Sequence, residues 1–359
     1  MNNDKKDNKK IAELEDDQQF EAIYNDLPPI DIVAFNELRS CHDLLRLYET
    51  KQLEIKPDFQ RDVVWTLSDQ TRFIDSLTKQ LPIPSMCISI DYKTEKRIVI
   101  DGLQRIYSIV KFLSDKKWRL AKLIDVDIRL SGKVVSEIIE KHQDIYDRVQ
   151  NLMIPITVIR CDYSNKYHNE YLFTIFHRLN SGGVRLNNQE IRNCIYNGSL
   201  NNLLKELASH PQTKKILKNG KRFTNEELIL RFFTFNDRLT SYDGNLSAFL
   251  NQYMFENRNL DDDAILSKQE IYLKTLKIIH EKLFANQQVP TRSKTLTEGL
   301  LYGISQNIQK LRDSTTEETK LLYGKFISLP EFSVENLKSD LSAKDKVINR
   351  LEASKNCFS

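Results

Sequence analysis

The chain has 359 residues, and at roughly 100–200 residues per domain that length predicts two domains. Hydrophobic residues make up 40% and charged residues 29%, which is too apolar for a disordered protein. With 53 basic and 50 acidic residues the net charge is only +3, which excludes a blanket histone-like attraction to nucleic acid and leaves local basic patches open. Five scattered cysteines give no C-x-x-C pair, and six histidines never fall at H-x-x-x-H spacing, so neither a disulfide framework nor a zinc-hydrolase motif is expected. No apolar run approaches the roughly 18–20 residues that span a bilayer, and the N-terminus lacks the apolar core of a signal peptide. The chain reads as cytoplasmic, reduced and soluble, with no membrane partner.

In chain order, residues 1–27 are expected to form a charged flexible tail, and Pro28-Pro29 marks the start of the folded body. Residues 28–197 mix helical and strand periodicities and predict an α+β domain. A helix is expected over 40–50 and a strand over 52–55, and Thr66-x-x-Asp69 opens a helix that buries Phe73, Ile74 and Leu77. Residues 86–91 and 97–100 read as neighbouring strands, and residues 103–113 as a helix with Ile106, Ile109, Val110 and Leu113 inside. Further strands are expected at 125–130 and 154–160. Residues 198–359 carry helical patterns only and predict an all-helical domain. Asn187-x-x-Glu190, Thr224-x-x-Glu227 and Ser267-x-x-Glu270 read as helix starts, and Asp261-Asp262-Asp263 reads as a loop.

Three constellations carry candidate chemistry. In Phe59-Gln60-Arg61-Asp62-Val63-Val64-Trp65, Gln60 and Arg61 offer planar donors to a phosphate or base edge, while the alternative makes Phe59 and Trp65 core anchors and Arg61 a surface charge. In Asp101-Gly102-Leu103-Gln104-Arg105, a strand passes through a tight glycine turn into a helix N-terminus, where backbone N–H groups and the positive end of the helix dipole favour phosphate. Arg105 supplies a fork for phosphate oxygens, and Asp101 would hold Mg²⁺ or orient a water; a plain turn with Asp101 as cap is the alternative. The third runs Phe176-His177-Arg178-Leu179-Asn180-Ser181-Gly182-Gly183 and on to Arg192. In a chain with only 10 glycines, its Gly-Gly pair beside Arg178 and Asn180 suggests a loop that closes on a ligand, against a plain helix connector. Asp125 and Asp127 could share a metal if they alternate on a strand, although a solvated sheet face is the simpler reading. Residues 213–222 hold Lys214, Lys215, Lys218, Lys221 and Arg222 without an acid, a candidate DNA-binding patch or a solvated face.

Taken together, F-Q-R-x-x-V-W, D-G-L-Q-R and F-x-R-L-N-x-G-G-x-x-L-x-x-x-E-x-R resemble the N-terminal domain family of GmrSD-type restriction endonucleases, over roughly residues 35–197. The stretch E-L-I-L-R-F-F within residues 224–235 is similar to the helical extension of these proteins. The resemblance implies a ParB/sulfiredoxin-like fold and a nucleoside triphosphate site with Mg²⁺. Asp101, Gly102, Gln104 and Arg105 fall on the family's D-G-Q-Q-R signature, with Leu103 in place of its first glutamine. Gln60 and Arg61 fall on F-Q-R, and Arg178, Asn180, Gly182 and Gly183 on the asparagine–glycine loop. Family members that cut DNA often add an H-N-H nuclease domain, whereas after residue 200 this chain has only His210 and His280, in no such setting.

The resulting expectation is a restriction- or defence-associated NTPase that engages DNA, with Asp101, Gln104 and Arg105 as catalytic residues. Cutting would be absent, supplied by a nuclease partner protein, or performed within the first domain; a higher oligomer is compatible with the sequence. The rivals are a non-catalytic ParB-like DNA-binding or nucleotide-sensing module, and a metal-dependent DNase built on Asp101 or the Asp125/Asp127 pair.

Overall fold

Two short β-rich runs, Met86–Asp91 (β3) and Arg97–Asp101 (β4), form the centre of a five-stranded mixed sheet. They belong to a computed structural model that describes residues 28–55, 65–179, 186–217, 223–290, 292–337 and 340–359. The other strands are Val33–Ser40 (β1), Leu53–Glu54 (β2) and Met153–Cys161 (β5), and the order across the sheet is β1-β5-β3-β4-β2. β3 runs parallel to β5 and antiparallel to β4. β3 is buried along almost its whole length, and four of its six residues, Met86, Cys87, Ile88 and Ile90, are apolar.

Among the described residues six helices accompany the sheet in this unit: Cys41–Glu49 (α1), Leu67–Thr78 (α2), Leu103–Ser114 (α3), Val135–Lys141 (α4), Gln143–Asn151 (α5) and Lys166–Leu179 (α6). Thr66 and Asp69 exchange the reciprocal bonds of a capping box at the start of α2, at 3.2 and 2.9 Å. The core joins Leu44 and Leu47 of α1, Ile74 and Leu77 of α2 and Ile106, Ile109 and Phe112 of α3 to Met86, Ile88, Ile154 and Ile156 of the sheet. Each such side chain contributes about 1.5–3 kcal/mol by leaving water. That burial fixes α3 against the sheet, and with it the turn that enters α3.

The chain divides into two compact units, one ending at Leu186 and the other spanning Asn187–Ser359. All regular elements described in the second are helical. They are Asn188–Ile195 (α7), Ser199–Ser209 (α8), Pro211–Ile216 (α9), Thr224–Arg238 (α10), Leu246–Glu256 (α11), Asp262–Ile278 (α12), Lys294–Ser305 (α13), Ile308–Asp313 (α14), Thr316–Ile327 (α15) and Lys344–Phe358 (α16), with short 3₁₀ and π turns between them. α13 and α16 pack closely because Gly303 has no side chain; a Cβ there would lie 2.7 Å from the Ser354 carbonyl oxygen. Among the described residues no helix is long and apolar enough to cross a membrane.

Several local expectations are corrected. Residues 125–130 form turns, not a strand. Asp127 causes this: its carboxylate accepts from the Arg129 N–H at 2.9 Å and its carbonyl from the Leu130 and Ser131 N–H groups, so the apparent alternation is turn chemistry. Asp261-Asp262-Asp263 is the start of α12, not a loop, with Asp261 accepting from the Ala264 N–H at 2.8 Å. Acids favour the positive end of a helix, so the helix starts at this run, and Ser267, the cap expected from Ser267-x-x-Glu270, lies inside α12 six residues past the true cap, Asp261. Thr224 is the first residue of α10 and Phe223, at φ 63°, holds the cap position; Glu227 turns instead to Arg231. β1 had no sequence signal. It is an edge strand with Val33, Phe35 and Leu38 exposed, so burial never imposed alternation on it.

Candidate functional site

Asp101 ends β4, Gly102 makes the turn, and Leu103 begins α3. Gly102 sits at φ 90°, a conformation that side chains disfavour, and a Cβ there would meet Met86 Cγ at 2.6 Å. The turn is therefore pressed onto the first residue of β3, and glycine is required by both backbone and packing. The first turn of α3 has no side-chain cap and no acidic residue, so its N-terminal end keeps its positive character.

Arg105 lies one helical turn on. Its Nη2 donates to Asp101 Oδ2 at 2.8 Å and its Nη1 to the Pro84 carbonyl at 2.6 Å. The guanidinium is 15% exposed and the Asp101 carboxylate 37%, so the pair stands at the surface with the acid outermost. A cation in a first helical turn opposes the dipole; here Asp101 is the anion that offsets it. Gln104 is half-buried, and its Oε1 is buried without a hydrogen-bond partner. An orphaned amide oxygen is costly by about 1–3 kcal/mol, and such groups are retained where something else supplies the donor. Leu103 packs on the core, which explains how an apolar residue is tolerated at that position.

Sequence reading missed the polar chain beside Pro84. Ser85 Oγ lies 3.1 Å from Thr157 Oγ1, which donates to Asn36 Oδ1 at 2.9 Å. These residues come from three segments of the chain, and only strand pairing brings them together. Cys87, the strand partner of Asp101, is not a nucleophile: burial pushes its thiol up to about 12, and Asp101 adds to the effect.

Among the other candidates, α6 packs against β4, and Arg178 is exposed in its last turn. Gln60, Arg61, Asn180, Gly182 and Gly183 lie outside the described residues, as do Lys218, Lys221 and Arg222; Lys214 and Lys215 are exposed on α9. Asp125 and Asp127 are not placed as a shared metal site. Arg72 Nε donates to Asp125 at 2.8 Å, and Arg129 Nη2 to Asp127 at 2.7 Å. The Arg129 hydrogen bond, against the cost of burial, holds the Asp127 carboxyl down at about 2. Among the described residues no group of three or more His, Cys, Asp and Glu side chains is placed to hold a metal.

The unit ending at Leu186 is thus an α+β domain whose exposed strand–glycine–helix turn presents an acid, an amide and a guanidinium. Residues 41–197 match the family described as GmrSD restriction endonuclease, N-terminal domain, and this part of the chain belongs to that family. The match includes α7, which packs within the helical unit. No curated protein and no solved structure matches the chain.

Proposed function

We propose that this protein binds a nucleoside triphosphate with Mg²⁺ at the Asp101–Arg105 turn, hydrolyses it, and engages DNA in restriction or defence. The observation that carries the reading is the turn itself. Gly102 at φ 90° opens an uncapped helix N-terminus, and Arg105 and the unsatisfied Gln104 oxygen stand within one helical turn of it. The donor set fits the group. Mg²⁺ is commonly held by one or two carboxylates together with substrate phosphates, and Asp101 supplies one such carboxylate at the surface.

In this reading the phosphates take over the Arg105 guanidinium and free Asp101 for the metal, whose part is to neutralise phosphate charge. Gln104 accepts from the nucleotide or from an ordered water. Gln60 and Arg61 add phosphate contacts, and Arg178 with Asn180, Gly182 and Gly183 closes over the ligand. The domain is read as ParB/sulfiredoxin-like. Lys214, Lys215, Lys218, Lys221 and Arg222 form the DNA patch.

The test is phosphate release from the purified protein over the four common nucleoside triphosphates, with and without DNA. Release that falls with Arg105→Ala supports the enzyme. Binding without release makes the protein a nucleotide-sensing module, and DNA cleavage without nucleotide makes it a nuclease.

A further inference from the structure

Two sequence motifs take no part in the turn: Arg192, which ends L-x-x-x-E-x-R, and Glu227 with Arg231 in E-L-I-L-R-F-F. Within the helical unit they line one pocket of about 250 Å³. Its charged lining is Arg192, Arg231, Lys294 and Arg350 against Glu227 and Glu298, an excess of two positive charges.

Both carboxylates are engaged by arginine. Arg231 donates to Glu227 Oε1 at 2.6 Å and to Glu298 Oε2 at 3.1 Å, and Arg350 Nη2 approaches Glu298 Oε1 at 3.5 Å. Burial opposes ionisation of Glu227, yet Arg231, Arg192 and Lys294 hold its carboxyl down at about 2. Arg192, only 2% exposed, directs its fork to Asn251 Oδ1 at 2.8 Å, Ser247 Oγ at 3.2 Å and Gln189 Oε1 at 3.3 Å.

Helix ends add to the field. α11 begins at the pocket through Asn245, its N-cap, and α13 through Lys294 and Thr295. Neither helix has an acid in its first turn, and α13 opens with a lysine, against its own dipole. α7 reaches the pocket with its first residue, Asn188, although Glu190 in its first turn offsets part of that helix's field. Arg192 and Arg350 are buried and Arg231 and Lys294 half-buried, and an excess of positive charge held out of water beside positive helix ends favours an anion.

The geometry points to a binding site for a dianionic phosphate group between the N-termini of α11 and α13, with Arg192 and Lys294 as its cationic contacts. A phosphate monoester carries about −1.5 to −2 at neutral pH, which matches the charge excess. Phe235, Leu250 and Val347 line the same pocket and offer an apolar wall to an organic body. The source is therefore inorganic phosphate or the phosphate of a mononucleotide. This site belongs to the helical unit and the Asp101–Arg105 turn to the other, and neither reading rests on the other.

The experiment is calorimetric titration and thermal melting of the full chain with inorganic phosphate, adenosine 5′-monophosphate and adenosine. Wild type, Arg105→Ala, Lys294→Gln and Lys294→Arg are compared. Phosphate and the monophosphate should bind wild type and Arg105→Ala alike and raise both melting temperatures, whereas adenosine should do neither. Lys294→Gln should weaken binding about tenfold without lowering the ligand-free melting temperature, and Lys294→Arg should restore it. Tighter binding of the monophosphate marks the nucleotide as the source; equal binding marks free phosphate. The proposal is overturned if wild type binds neither anion, if Lys294→Gln binds as tightly as wild type, or if Arg105→Ala abolishes the binding.

Discussion

The Asp101–Arg105 turn and the charged pocket of the helical unit answer the same electrostatic problem at different scales. Each sets arginine beside carboxylate at the N-terminal end of a helix. At the turn one guanidinium meets one carboxylate, and that carboxylate is 37% exposed. In the pocket four cations and two carboxylates share one enclosure, with Glu298 only 3% and Arg350 4% exposed. A partly exposed pair is screened by water on one side and exchanges partners more easily, whereas a buried network cannot lose one member without stranding the others. The turn is therefore suited to opening for a ligand, and the pocket to holding its shape before a ligand arrives.

Breaking each pair separately tests that difference, and the largest effect is expected in the pocket. Arg231→Met leaves Glu227 and Glu298 without their shared arginine and should cost about 3–5 kcal/mol in denaturant unfolding. A cost below about 1 kcal/mol would show that the network is dispensable.

Acid provides the next test. The folded Glu227 carboxyl is held at about 2, below its ordinary 4.5, so its stabilisation is complete above pH 4.5 and is lost as pH falls toward 2. The shift corresponds to a loss on the order of 3 kcal/mol. Wild type should lose more stability over that interval than Glu227→Gln; parallel pH profiles would mean that Glu227 titrates normally.

At the turn, Gly102→Ala meets both the left-handed backbone and Met86, and should cost roughly 1–3 kcal/mol by urea unfolding. Pairing it with Met86→Ala separates the two causes. If Gly102→Ala costs much less in the Met86→Ala background than in wild type, side-chain contact dominates; if it costs the same in both, the backbone does.

The same contrast explains what was legible in the sequence. The turn is contiguous, so strand, glycine and helix start could be read directly from residues 97–105. The boxes Thr66–Asp69 and Asn187–Glu190 were legible for the same reason: each closes over three residues. The pocket draws on residues from Asn188 to Arg350, and no local pattern announces that Glu227 and Glu298 share one arginine. The side-chain pairing within the turn was not legible: the charge of Arg105 opposes the dipole of its helix, and Asp101, four residues earlier, answers it. β1 was illegible because its partner β5 lies about 120 residues away and its exposed face carries apolar side chains. Asp125 and Asp127 misled because alternation along a turn and along a strand look alike until the carboxylates find their arginines.

The most direct test of the central claim is calorimetric titration of a Mg²⁺–nucleoside triphosphate into wild type and Arg105→Ala, with thermal melts alongside. Removing Arg105 deletes a charge-assisted contact and leaves Asp101 facing the incoming phosphates, so affinity should fall about 30–150-fold, or about 2–3 kcal/mol. The melting temperature should drop by only a few degrees, because the lost ion pair is partly exposed. Unchanged nucleotide affinity in a variant that melts far lower would make Arg105 a brace between Asp101 and Pro84, and the turn would not be the nucleotide site.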